Sequence, residues 1–349
     1  MAMKVTCPVT SSADEFDDAR LDDNQVLAGH DAVLRGLALT GAHIRVEASA
    51  AEALALDAGL RPRGIVLAGN ESRLIRSVIE TTCPAPLVAW PHLGLPGWAG
   101  PLDLVVVQGS GAPDEMLAST ALEATRRGCA LLVAAPADGV IAQRLPSHGV
   151  TFVATTTNDP VAAVVGLLDL LWRVGLGPAP HAESIADAAD MVAEQSSPHK
   201  DLSINPAKVA AIALADALPL VWGGSMLAAR AARRIAEEIR RTTGRPSLAA
   251  TASDLAPLLL AAEPNDPFAD LGEQASQPVL VTLDDGDDDQ TSQRERAMLE
   301  NVADARQLRV VRFECDDAQA GAVGRHVALL LQGLYAAAYL GVGFDHFAS

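Results

Sequence analysis

Aromatic side chains are scarce in this 349-residue chain, at 3% Phe, Trp and Tyr, so its core must be built from smaller aliphatic residues. Lysine occurs only at Lys4, Lys200 and Lys208, which leaves basic chemistry to arginine and histidine. Against 26 basic residues stand 44 acidic ones, a net charge of −18, and that balance argues against a nucleic-acid surface, which needs clustered cations for phosphate. The four cysteines, Cys7, Cys83, Cys129 and Cys315, lie far apart. With no Cys-x-x-Cys pair and no metal-like histidine spacing, they fit reduced thiols in a cytoplasmic protein without a metal centre. No uninterrupted apolar run of membrane-spanning length exists, and Met1–Thr10 lacks a charged-then-apolar layout; both features argue against membrane insertion and secretion. Neither a GxGxxG nor a GxxxxGK[ST] pattern is present, and no cofactor is expected.

What the chain does have is 49% hydrophobic residues, mostly Ala, Leu and Val, and enough length for two domains with their own cores. Residues 1–22 are polar and acidic and predict a loosely held arm, followed by a helix over Asp23–Thr40. Continuous apolar runs then read as strands covered on both faces: Gly64–Gly69, Pro86–Trp90, Leu102–Gln108, Cys129–Ala135 and Val150–Thr156. Helical stretches over Ser72–Glu80 and Pro160–Val174 alternate with them, which implies a parallel sheet. Gly177–Pro180 ends this unit, and a helix over Ser184–Gln195 with a polar stretch bridges to the next. There the pattern restarts: a helix over Pro206–Ala217, strands at Leu218–Gly223, Ser247–Thr251, Pro278–Leu283 and Leu308–Phe313, and a closing apolar helix over Ala320–Gly341. On the helix Met226–Arg241, the residues Leu227, Ala231, Ile235 and Ile239 step by four and predict its buried stripe. The resulting division is an arm (1–22), a first α/β unit (23–178), a linker (179–204) and a second α/β unit (205–349).

Ligands of open parallel sheets bind beyond the carboxyl ends of the strands, near the reversal of strand order. The loops to inspect are therefore Gly69-Asn70-Glu71-Ser72, Gly109–Pro113, Gly223-Gly224-Ser225 and the acidic run Asp284–Asp289. Small and hydroxyl residues opening a helix suit an anion, because free N–H groups and the helix dipole converge there. The acidic run lacks calcium-loop spacing and reads as a solvated turn. His92, His148, His181, His199 and His326 read as surface or capping residues. Trp90, Trp98, Trp172 and Trp222 read as core. Arg240, Arg241 and Arg245 complement the end of their helix, with an anion site as the alternative.

The stretch Leu95–Val107 (LPGWAGPLDLVVV) is similar to the approach to the third strand of bifunctional phosphoglucose/phosphomannose isomerases, proteins with two sugar isomerase (SIS) domains. Ser110–Glu115 resembles their phosphate loop, Asn205–Lys208 their lead-in to the second domain, Leu220–Ser225 the next strand and turn, and Tyr335–Gly343 their last helix. The likeness covers residues 20–343. It implies two tandem flavodoxin-like units, each a mostly parallel five-stranded sheet flanked by helices, with a sugar phosphate held between them, and it makes a homodimer an expectation. The phosphosugar-binding residues implied are Asn70, Ser72, Ser110, Gly111, Gly224, Ser225 and Arg241.

The machinery for proton transfer departs from the family. Ala112 and Pro113 replace Asn and Thr of the phosphate loop, and Asn70-Glu71-Ser72 stands where Gly-Gly-Ser is expected. Arg241 falls at the proton-transfer glutamate and Ala256-Pro257 at the ring-opening histidine, while Ser349 precedes the position of the family's lysine. Losing a positioned base alone costs roughly 10²–10⁴ in rate. The pattern resembles the divergent TobH-like relatives, and implies a sugar-phosphate-binding protein with weak or lost aldose–ketose isomerisation. The alternatives are an active isomerase using Glu71, Asp254 or His346 as substitute groups, and a regulatory or interaction protein without catalysis.

Overall fold

The computed structural model describes residues 15–54, 57, 59–109, 114–146, 149–262, 277–287, 289–315 and 317–346. In the first unit, helices α1 (Asn24–Gly29), α2 (Asp31–Ala38) and α3 (Thr40–Glu52) precede β1 (Ile65–Gly69), α4 (Ser72–Ile79), β2 (Leu87–Ala89), β3 (Leu104–Gln108), α5 (Glu115–Arg126), β4 (Ala130–Pro136), α6 (Val140–Arg144), β5 (Val150–Thr155) and α7 (Pro160–Arg173). Helix α8 (Ala182–Gln195) leads to α9 (Pro206–Leu214), β6 (Ala217–Gly223), α10 (Met226–Thr243), β7 (Leu248–Ala249), α11 (Ala252–Leu260), β8 (Gln277–Asp284), α12 (Gln290–Ala305), β9 (Val310–Glu314) and α13 (Gly321–Phe344). The expected helix over Asp23–Thr40 is instead two short helices broken at His30, whose ring lies 3.2 Å from the Val26 carbonyl oxygen.

All strand pairs are parallel, in the orders β2-β1-β3-β4-β5 and β7-β6-β8-β9. The first sheet is the expected five-stranded, flavodoxin-like one, with its reversal between β1 and β3. The second repeats that order but has four strands among the described residues, not five: β9 passes through a single turn, Ala318–Ala320, directly into α13. The fifth strand was implied by the family resemblance, whereas the second unit's own apolar runs mark four.

Alternate residues of each strand feed different cores, as the period of two requires. Val66, Val105, Val107 and Val133 pack toward α5 and α6, and Leu220, Trp222 and Leu280 toward α11 and α12. The opposite faces, including Leu67, Val106, Val221 and Val281, join one continuous core with α3, α7, α8, α10 and α13. Helix α8, within the expected linker, packs on both α3 and α13. Arg45 of α3 fixes it by donating to Glu183, Asp187 and Asp190 at 2.6–2.8 Å. Helix α13 has the length and hydropathy of a membrane span, but it is the buried core helix against which α8, α9 and α10 pack.

The described end of the predicted arm, residues 15–22, is tied down rather than loose. Asp17 N–H and Arg20 Nη1 both donate to the Gly343 carbonyl, Phe16 packs edge-on against Phe344, and Leu21 is fully buried. Asp22 accepts from the buried Lys208 ammonium at 2.7 Å, and that ammonium also donates to the carbonyls of Pro198 and Lys200. A charge out of water needs such complete pairing, which composition alone did not reveal.

Candidate functional site

Strand β1 ends at Gly69 with φ +126°, where a Cβ would collide with the Gln108 carbonyl of β3, so only glycine lets the two strands run this close before they diverge. Gln108, buried at the end of β3, accepts from the Glu71 N–H at 3.3 Å and donates to Gly109 O at 2.9 Å, which sets the start of α4. Among the described residues, neither α4, after Glu71, nor α5, after Asp114, is capped by its N-cap side chain. Both helices therefore open with positive ends toward the strand-order reversal.

A cleft of about 540 Å³ lies there, floored by Ala68, Gly69 and Asn70 and walled by Trp90, His92, Asp114 and Met116 from the first unit. Its far wall is α10 of the second unit, which supplies Arg230, Arg234 and Glu237; Arg73 of α4 adds a third guanidinium. The volume is that of a small-molecule site. Glu71 joins the two walls: its Oε2 lies 3.1 Å from Arg230 Nη2 and its Oε1 3.5 Å from Arg234 Nε, with the carboxylate 4% exposed. Two buried donors on the lining residues, Arg230 Nε and Trp90 Nε1, have no hydrogen-bond partner among the described residues. The Trp90 ring is braced edge-on by His92, centroids 5.0 Å apart. Trp90 is thus a partly buried wall of the cleft that also packs on the core beneath β1 and β3, whereas Trp98 and Trp172 are about half exposed and Trp222 is buried in the core.

Of the residues expected to hold a phosphosugar, Asn70 and Ser72 line this cleft; Glu71, between them in the sequence, is buried and outside its lining. Ser110, Gly111 and His148 lie outside the described residues. Gly224 and Ser225 are elsewhere, at the N-terminus of α10 in a crevice of about 10 Å³, at most the size of one water molecule. There Ser225 caps its own helix by accepting from Ala228 N–H at 3.0 Å and donates to Asp285, so a carboxylate already fills the place of an anion. The acidic run is accordingly not wholly solvated: Asp285 is buried and Asp284 pairs with Arg296. Arg241 is exposed and pairs with Glu238, Arg240 donates to Ser247 O, and Arg245 lies over the Phe344 ring, so all three act near the end of α10. Asp254 is exposed on α11 and accepts from Thr251. The backbone of His346 bonds back to Gly341 and to the His30 ring. Neither Asp254 nor His346 is among the residues that line the cleft.

Sequence reasoning missed Arg230, Arg234 and Arg73. The signal available was the pair of arginines four apart on α10, immediately beside its buried stripe, a placement that aims them along the edge of a packed face. Glu71, the partner of Arg230, is 159 residues away from it, which no local pattern reveals.

A flavodoxin-like parallel sheet with its cleft at the strand-order reversal, closed by a helix from a second parallel sheet, is an α/β fold matching SIS domains. Residues 203–345, the second unit, match the family model of the bacterial phospho-glucose isomerase C-terminal SIS domain. Among solved structures, the chain is similar to a glucose-6-phosphate isomerase like protein from Thermus thermophilus, with TM-score 0.52 and 14% identity over 92% of each chain. It is also similar to tagatose-6-phosphate ketose/aldose isomerase from Escherichia coli (TM-score 0.55, 14% identity, 92% of this chain and 95% of that one). The C-terminal domain of glucosamine-fructose-6-phosphate aminotransferase from Francisella tularensis gives TM-score 0.61 at 10% identity, over 90% of this chain and 97% of that one. At such identities these likenesses establish the fold. Among curated protein sequences, none matches the chain.

Proposed function

We propose that the protein binds a phosphorylated sugar in the cleft between the β1–β3 reversal and α10, with weak or lost aldose–ketose isomerisation. The observation that carries this reading is a cleft lined by Arg73, Arg230 and Arg234, two of whose lining residues carry buried donors, Arg230 Nε and Trp90 Nε1, without a partner among the described residues. Such donors are costly to leave unpaired and are satisfied by an oxygen-rich ligand. The phosphoester would sit against Arg230, Arg234, Arg73 and the first N–H groups of α4, and the sugar hydroxyls would face Asn70, Ser72 and Trp90. The family match of the second unit and the phosphosugar enzymes among the structural neighbours support the ligand class.

Weak isomerisation follows from the groups at hand. Proton transfer between adjacent sugar carbons needs a carboxylate free to act as base. Glu71 is engaged by two arginines and Glu237 by Arg234, and Asp254 and His346 sit outside the cleft lining, so of the carboxylates on that lining Asp114 is the one to test as a base. Thermal-shift titration with glucose 6-phosphate, fructose 6-phosphate and mannose 6-phosphate tests binding: ligand at 100 times Kd adds about 2.7 kcal/mol of stability. A flat response to all three would reject a phosphosugar site, and robust turnover in a coupled isomerase assay would reject the loss of activity.

A further inference from the structure

We infer that Glu71 is an internal stand-in for the anionic group of the ligand: phosphate enters the cleft by taking Arg230 and Arg234 from the Glu71 carboxylate, so the cleft selects dianions over monoanions. This rests on the phosphosugar reading of the cleft and adds what regulates occupation of it.

Glu71 stands on the turn from β1 into α4, where the open end of a helix attracts negative charge. Its carboxylate makes no bond to that helix and pairs instead with α10. Each oxygen meets a single guanidinium nitrogen, at 3.1 Å and 3.5 Å, and Arg230 Nε is left without an acceptor although Arg230 is buried. Arg234 Nη1 also donates to Glu237 at 3.2 Å, so the unfilled capacity lies chiefly in the Arg230 fork. A phosphate ester, with three terminal oxygens, offers the bidentate geometry that a guanidinium prefers. The exchange has an electrostatic condition: it leaves the Glu71 carboxylate beside the incoming anion, so a single negative charge gains nothing by replacing another, whereas a double one does. Glu71 thus holds α10 against α4 while the cleft is empty and discriminates against small monoanions.

The test is titration calorimetry at pH 7.5 of the unaltered protein and Glu71→Gln with inorganic phosphate and with acetate. Removing the internal competitor should tighten phosphate roughly tenfold, the lower end for a close charge pair, and acetate should bind the variant but not the unaltered protein. Phosphate binding by the unaltered protein with no gain in the variant would overturn the stand-in role and leave the phosphosugar reading intact. Silence of both proteins toward phosphate would overturn the two together. Crystals of the unaltered protein soaked in phosphate give an answer that does not depend on the variant folding. Phosphate on Arg230 and Arg234 with Glu71 turned away supports the exchange; an intact Glu71–Arg230 pair with phosphate elsewhere rejects it.

Discussion

His326 illustrates how a single side chain reports on the packing between helices. It is buried on α13 rather than at the surface where sequence reasoning put it, and its Nδ1 lies 2.9 Å from the Leu227 carbonyl of α10, which requires the proton on that nitrogen. Burial pushes its pKa from 6.5 down to about 4, against the opposing pull of the Leu227 carbonyl, with nearby Arg230 adding to the fall. A base held neutral in the folded state contributes stability that is fully present above pH 6.5 and is lost as pH falls toward 4, because the unfolded chain takes the proton first. The whole window is worth about 3 kcal/mol. His326→Asn keeps a donor toward Leu227 without a titrating ring. Urea unfolding at pH 7.5 and pH 4.5 should show a markedly smaller acid loss in the variant than in the unaltered protein.

At the scale of elements, α10 is the joint of the molecule. Its inward stripe packs on α13 so closely that a Cβ on Gly333 would overlap the Ile235 side chain. Gly333→Ala should therefore destabilise by about 1–3 kcal/mol despite its better helix propensity, and Ile235→Val in the same chain should return part of the loss in denaturant titrations. Beside that stripe, α10 meets α4 through Glu71 and Arg230. Glu71→Ala should cost about 3–5 kcal/mol, since it strands the buried Arg230, and Arg230→Ala less, since Glu71 keeps Arg234 at 3.5 Å. The double variant should lose clearly less than the sum in the same titrations, as expected of a coupled pair. The stripe of Ala231, Ile235 and Ile239 was legible in the sequence because helical periodicity is local, and β1, β3, β4, β6 and β8 were legible because strands buried on both faces are unbroken apolar runs. The Glu71–Arg230 contact was not, because it depends on how two units dock. Nor was the closed crevice at Ser225, where the Gly-Gly-Ser pattern suits an anion but Asp285, contributed by the end of another strand, fills the place.

For the whole molecule, the inner faces of both sheets share one core, and α8 is wedged between α3 and α13. The two units should consequently unfold together: single-tryptophan variants retaining Trp90 in the first unit or Trp222 in the second should give the same urea midpoint, whereas separate midpoints would show independent domains. The division of the chain into repeating α/β units was readable from alternating patterns, but the shared core and the docked residues 15–22 were not, since they arise from contacts between segments remote in sequence.

The shortened second sheet has a consequence of its own. Among the described residues β9 is one of its two edge strands, and a bare ladder margin is a template onto which another polypeptide can zip. Two guards stand along it: exposed Arg312, anchored to Glu300, and exposed Glu314, whose carbonyl is occupied by the Gln332 amide. Replacing both charges with valine should make light scattering rise with protein concentration, turning a self-terminating sheet into an adhesive one.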